Sequence, residues 1–360
     1  MWANRRFLEL VGIEHPIVQA PMAGAMDYEL VIAVSLAGGL GSLPCAMLAP
    51  ETARAQLDTI RQRTSRPINV NFFCHTPPGP DPAREQAWKA RLAAYYRELG
   101  LELDAPASGA GRAPFDERMC VVVEEFRPKV VSFHFGLPDP ALLARVKAAG
   151  CLVLSSATTV AEARWLEQRG CDAIIAQGYE AGGHRGMFLT SDAATQAGTF
   201  ALVPQVVDAV TVPVIAAGGI ADARGIVAAF ALGAAAVQIG TAYLFCPEAK
   251  ISPVHRAALK AARDESTALT NVITGRPARG ILNRIMREVG PMSSEAPSFP
   301  LAAGAIAPLR TKAEANGSSD FSPLWCGQAA ALGRELPAAD LTRALAQEAL
   351  SHRDAITRDA

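Results

Sequence analysis

Short apolar runs alternate along the first two thirds of the chain with longer segments whose apolar positions recur every third or fourth residue. The runs at 16–20, 40–43, 68–72, 130–133, 152–155, 173–176, 214–216 and 235–239 read as strands. Between them, 29–37, 51–63, 84–99, 140–149, 160–169, 201–209 and 223–232 each read as a helix. Runs such as Ile68-Asn69-Val70-Asn71 and Cys151-Leu152-Val153-Leu154 do not alternate cleanly. A parallel sheet covered on both faces produces such strands. Eight βα units over roughly 240 residues predict an α/β fold, a (β/α)8 TIM barrel. A doubly wound open sheet is the alternative, but no Gly-x-Gly-x-x-Gly follows the first strand.

Two regions break the rhythm. Residues 103–114 are rich in Gly, Pro, Ala and Ser, which predicts a surface excursion or flexible loop. Beyond about residue 246, the segments 254–263 and 281–288 read as helices, 290–300 is proline-rich, and 341–351 forms a last amphipathic helix. The expected division is a barrel over 1–246, a mostly helical lid or substrate region over 247–320, and helices over 321–360 that return to the barrel. Residues 226–245 carry no formal charge over a length that could span a bilayer. Gly233 and Gly240 divide that stretch and Gln238 lies within it, so a buried helix followed by a buried strand is expected instead.

Composition narrows the class of function. A chain of 360 residues that is 50% apolar and 19% charged can bury a substantial core. A net charge of -1 makes no electrostatic case for a nucleic acid or an anionic membrane as partner. The seven cysteines are scattered and form no Cys-x-x-Cys, which points to a reducing cytoplasm and to no metal site. The start of the chain lacks the apolar core of a signal peptide.

In a barrel of this kind the reactive groups stand at the carboxyl ends of the strands. The first strand ends Gln19-Ala20-Pro21-Met22-Ala23-Gly24, whose backbone can line a flat ligand. Asn71 on the third can donate to and accept from a heterocycle edge. The fourth ends in Ser132-Phe133-His134-Phe135-Gly136. The sixth supplies Gln177 and then Glu180-Ala181-Gly182-Gly183-His184-Arg185-Gly186, a loop that lets backbone approach a ligand and carries a histidine able to exchange protons. After the seventh and eighth strands come Gly218, Gly219 and the run Gln238-Ile239-Gly240-Thr241. Loops at those two positions commonly cradle a phosphate with free N–H groups. A ligand with a phosphate at one side and a heterocycle over the barrel mouth is implied.

These motifs resemble the class I nitronate monooxygenases, formerly called 2-nitropropane dioxygenases. The match runs through 19–24, 69–73, 132–138, 177–186, 213–220, 238–241, 274–280 with Asn283-Arg284, and 324–330. The resemblance implies FMN as cofactor, held by Asn71, Gln177, Gly182, Gly218, Gly219, Gln238, Ile239, Gly240 and Thr241, with Pro21 and Met22 against the isoalloxazine ring. It also implies His184 as the base that removes the α-proton of a neutral nitroalkane. His134 is the expected donor to the nitro oxygens, with Arg185 the second choice. The substrates implied are alkyl nitronates, propionate 3-nitronate among them, and O2, giving carbonyl compounds and nitrite. Two alternatives stand beside this: an FMN-dependent NAD(P)H oxidoreductase of the enoyl-acyl-carrier-protein reductase or quinone reductase type, and a non-catalytic flavin-binding protein. Where the family often places a tyrosine, this chain has Phe299. Arg276, Arg279 and Arg284 are expected to clamp the lid, Glu180 to orient its loop, and His75 to be a loop residue.

Overall fold

The computed structural model describes residues 2, 4–103 and 112–359, so most of the expected excursion over 103–114 lies outside the described residues. Eleven strands form among them. In chain order they are β1 (Ile17–Gln19), β2 (Gly41–Pro44), β3 (Ile68–Phe73), β4 (Val130–His134), β5 (Leu152–Ala157), β6 (Ala173–Gln177), β7 (Gly183–His184), β8 (Val214–Ala217), β9 (Ala236–Ile239), β10 (Thr267–Thr270) and β11 (Ala278–Ile281). Eight of them pair in parallel in the order β1-β9-β8-β6-β5-β4-β3-β2. A parallel bridge between Val18 and Leu40 joins the two ends, so the sheet closes into a (β/α)8 barrel. All eight expected barrel strands are present, each within two residues of its predicted ends.

Closure follows from which side chains point where. Alternate residues of a strand face opposite sides. Val70 and Phe72 pack outward under the helices. The lower interior is apolar, filled by Val18, Leu40, Val130, Leu154, Ile175 and Ile215, with Phe7, Leu8 and Val11 of the helix Arg6–Val11 packed against them. The upper interior is polar, and there Gln19, Ser42, Asn69, Asn71 and Ser132 hydrogen-bond one another across strands. A packed base and a polar top are the arrangement that lets a barrel hold a site at one end only.

Two helices depart from the expected βα order. The segment expected as the third barrel helix, Pro82–Glu98, instead joins a second core, where Trp88, Leu92, Tyr95 and Tyr96 pack on Val272, Ile285, Ile306 and Leu309. The barrel helix at that position is Glu117–Phe126, unforeseen in the sequence, whose Met119, Cys120, Val122 and Val123 lie in the main core. The eighth barrel helix comes last in the chain. Ala338–Asp359 packs between the helices Ala223–Ala231 and Tyr28–Leu36, and its Thr342 hydroxyl pairs with the Tyr243 hydroxyl at 2.8 Å.

Between β9 and that final helix the chain builds a cap. It contains the helices Pro253–Ala261, Arg284–Glu288 and Ala302–Ala315, and an antiparallel three-stranded sheet in the order β10-β11-β7. The expected helix over 281–288 is corrected in part, since Ile281 ends a strand and Asn283 caps a helix that starts only at Arg284. The cap sheet also recruits β7 from the glycine loop, with Ala278 opposite His184. No helix among the described residues is long and apolar enough to cross a membrane.

Candidate active site

The upper ends of the barrel strands and the cap enclose one cavity of about 260 Å³. Its polar floor is pre-ordered. Asn71 Nδ2 donates to Ser132 Oγ (2.9 Å) and to the Ser132 carbonyl (3.2 Å), which leaves Oδ1 as the acceptor available to a ligand.

The glycine loop is held by two side chains. Gln177 Nε2 donates to the His184 carbonyl (3.0 Å), while its Oε1 accepts the Gly186 N–H (2.7 Å). Arg185 is fully buried and donates to the carbonyls of Gly178 (2.6 Å) and Gln177 (2.8 Å) and to Gln196 Oε1 (2.6 Å). Gln196 in turn donates to Thr158, and Thr158 to the buried carboxylate of Glu162, which also accepts the N–H groups of Phe188 and Leu189. Buried polar groups must be satisfied, and this connected set does so while locking the loop from behind.

His184 faces the cavity from this locked loop. Its Nε2 lies 2.9 Å from Thr274 Oγ1, a buried hydroxyl on the turn between β10 and β11, and its Nδ1 has no partner among the described residues. Phe73, Phe135, Phe299 and Trp325 surround the ring, with Phe299 at 5.2 Å between centroids. Burial, followed by the charge of Arg112, holds its pKa well below the ordinary histidine value. The imidazole is therefore neutral at pH 7, with a ring nitrogen open to the cavity.

His134 sits beneath it. Its Nε2 lies 3.1 Å from the His184 carbonyl, which can only accept, so that nitrogen carries the hydrogen. Nδ1 then accepts from Ser156 Oγ at 3.0 Å. Burial pushes its pKa down to about 3. Next to it, Phe135 adopts a left-handed backbone (φ 71°), an uncommon conformation for a bulky residue. That turn brings the Phe135 ring against His134 (4.4 Å) and under the Arg276 guanidinium (4.0 Å).

On the β8–β9 side the cavity wall is backbone. Gly218 (φ 112°) and Gly219 (φ 70°) take conformations that side chains disfavour, and a Cβ on Gly218 would stand 3.0 Å from the Ala181 nitrogen. The N–H groups of Gly219 and Gly240 donate to nothing among the described residues. The Thr241 hydroxyl accepts the Gly327 N–H at 2.9 Å and keeps its own hydrogen to give. Gln238 Oε1 is buried without a partner. Orphaned buried acceptors and idle N–H groups are what a polar ligand satisfies.

The family model for nitronate monooxygenase matches residues 4–348. The chain belongs to the nitronate monooxygenase family. A nitronate monooxygenase of Pseudomonas aeruginosa is 45% identical, the match covering 95% of this chain and 98% of that protein. One from Paraburkholderia phytofirmans is 43% identical over 96% and 95%. Among solved structures, nitroalkane oxidase from Streptomyces ansochromogenes superposes with a TM-score of 0.88 at 38% identity, covering 98% of this chain and 99% of that one. FabK from Thermotoga maritima follows the same fold with a TM-score of 0.77 at 29% identity over the whole of both chains.

Within this family member the residues singled out from sequence fall in different places. Pro21, Met22, Asn71, Gln177, Gly182, Gly218, Gly219, Gln238, Gly240, Thr241, His134 and His184 all line the one cavity. Ile239 does not, because its side chain lies in the core and its carbonyl accepts the Ala20 N–H. Gly182 is shaped by packing, since a Cβ there would lie 2.5 Å from the Gly327 nitrogen. Arg185 points away from the cavity into its own network. Arg276 and Arg279 hold the cap, through the Met187 carbonyl and through Tyr179 and Thr267 respectively, whereas Arg284 pairs with Glu98 at 2.6 Å. Phe135, Thr274 and Trp325 lie in motifs that the sequence reading matched but were given no role there, and Ser156 and Arg112 escaped it altogether, since no local signal marks them.

Proposed function

We propose that this chain is an FMN-dependent nitronate monooxygenase, oxidising alkyl nitronates with O2 to carbonyl compounds and nitrite in the cytoplasm. The observation that carries the reading is His184, a neutral imidazole with one nitrogen anchored and the other open to an aromatic chamber at the barrel mouth. Relatives named nitronate monooxygenase at 45% and 43% identity support it over the reductase alternative.

The cavity fits FMN. Idle N–H groups at Gly219 and Gly240 and the Thr241 hydroxyl suit a phosphate, and Asn71 Oδ1 and the orphaned Gln238 Oε1 suit donors of the ribityl chain or ring edge. Pro21 and Met22 offer the apolar wall. Bound there, FMN would supply the redox chemistry linking the substrate to oxygen.

This chain's own groups supply the rest. His184 Nδ1 would take the α-proton of a neutral nitroalkane, while Thr274 holds Nε2 and keeps the ring from turning. A preformed nitronate needs no such step. The imidazolium that results stands beside the anion just formed, which offsets the cost of charging a buried ring. His134 takes a different part from the one expected of it. Both its nitrogens are spent on Ser156 and the His184 carbonyl, so it positions the base and does not donate to the nitro group. Phe73, Phe135 and Phe299 exclude water from the reacting carbon.

The test is oxygen uptake and nitrite release with ethyl nitronate, propionate 3-nitronate and nitroethane, with and without NAD(P)H. Oxygen consumption matched by nitrite, independent of NAD(P)H, is expected. Flavin that is bleached anaerobically by NAD(P)H but by no nitronate would overturn the proposal in favour of a reductase.

A further inference from the structure

The chamber beside His184 holds a charge that no carboxylate among the described residues answers. Glu314 is the only carboxylate among the described residues lining the cavity, and it is committed to Arg310 at 2.9 Å and to the Ser322 hydroxyl at 2.7 Å. Lys250, also in the lining, is paired with Asp27 and Glu29 outside it. Arg112 lines the same cavity and has neither carboxylate nor carbonyl partner for its guanidinium among the described residues. It lies over the Phe299 ring, 5.9 Å from the centroid, and that same ring is 5.2 Å from the His184 ring. The neighbouring wall of Phe73, Phe135 and Phe299 offers no acceptor.

Arg310 lines the same cavity, but its charge is answered by Glu314. Burial first, and then the charge of Arg310, lower the Arg112 pKa. Desolvated, unpaired cations are costly unless an anion joins them. Arginine presents a planar fork that matches two oxygens on one centre. The FMN phosphate is a poor candidate for that anion, since its cradle lies on β8 and β9 while Arg112 follows β3, across the barrel.

We propose that Arg112 is the anion-binding residue of the substrate chamber, taking a two-oxygen anionic group of the substrate against Phe299. Resting on the nitronate reading above, this makes Arg112 a determinant of specificity distinct from the base. The group it takes is either the nitronate NO2 itself or a carboxylate elsewhere on the same molecule, and the experiment separates the two.

The experiment compares the FMN-loaded enzyme with its Arg112→Met and Arg112→Lys variants. Steady-state oxygen uptake gives kcat and KM for ethyl nitronate and for propionate 3-nitronate. Calorimetric titration with nitrate gives a Kd that needs no turnover. Loss of a charge-assisted, two-point contact predicts a rise in KM and in nitrate Kd of about 10- to 100-fold for Arg112→Met, with FMN content unchanged. Arg112→Lys should recover only part of it, because the charge remains and the fork is lost. A KM rise with both nitronates places the NO2 group at Arg112, and a rise confined to propionate 3-nitronate places the carboxylate there. Unchanged KM and nitrate Kd in folded Arg112→Met protein would overturn the inference. Should that variant lose FMN, Arg112→Gln serves in its place with the same expectations. A parent enzyme that binds nitrate through Arg112 yet turns over neither nitronate would count against the nitronate reading alone.

Discussion

His184 owes its proposed role to one contact that only folding makes and to one nitrogen that folding leaves without a partner among the described residues. Thr274 fixes one nitrogen, and the glycine-rich backbone leaves the other open. Replacing His184 with Asn should lower nitroethane turnover by about 10²- to 10⁴-fold while sparing ethyl nitronate, measured as nitrite release from each. Equal loss on both substrates would remove the base from the mechanism. Thr274→Val should slow nitroethane turnover and shift its pH profile, because the ring can then choose either tautomer. Thr274→Ser should restore both, and a valine variant with parental kinetics would show that the hydroxyl is idle. His184 was readable in the sequence because glycines flank it. Thr274 was not, since nothing near it in the chain announces a partner ninety positions away.

At the scale of elements, the site depends on joining a barrel loop to the cap. β7 is two residues long and exists only because β11 pairs with it. The turn that carries Thr274 includes Gly275 at φ 91°, where a Cβ would collide with the Pro297 carbonyl oxygen. Gly275→Ala should therefore lower the melting temperature and reduce nitroethane turnover more than nitronate turnover, by displacing Thr274. A variant that melts lower yet keeps the parental ratio of the two activities would uncouple the turn from the base. Strand positions were legible in advance because parallel strands are buried on both sides and stay apolar. The hairpin β10–β11 was missed because Arg279, Gly280 and Thr267 carry no strand-like alternation, and their pairing is settled by contact with β7 and Trp325.

Across the whole molecule, the helical layer around the barrel is completed only when the end of the chain returns. Deleting 338–359 would expose the apolar faces of Tyr28–Leu36 and Ala223–Ala231 that the last helix covers, and should yield insoluble protein or a lost cooperative melt by circular dichroism. Acid offers a second global test. Burial lowers the pKa of His134 to about 3, of His75 and His255 to about 4, and of His184 well below 6.5. Folding thus favours their neutral forms, so the stability they contribute is complete above about pH 6.5 and is lost as pH falls toward 4. The melting temperature should drop steadily from pH 7 to pH 5, and more gently in His255→Gln. A flat profile over that range would contradict the burial of these rings.

The linear pattern by itself determined the eight barrel strands, the barrel and the set of strand ends that face one cavity, because side-chain periodicity and backbone chemistry are local. It also determined the glycine loop and the histidine on it. Tertiary structure alone decided that Pro82–Glu98 belongs to the cap, that His134 is satisfied within the protein, and that Arg112, beside Phe299, has no carboxylate partner among the described residues. Those outcomes depend on which groups meet across long separations in the chain. Hydrogen-bond satisfaction and charge pairing are properties of that meeting.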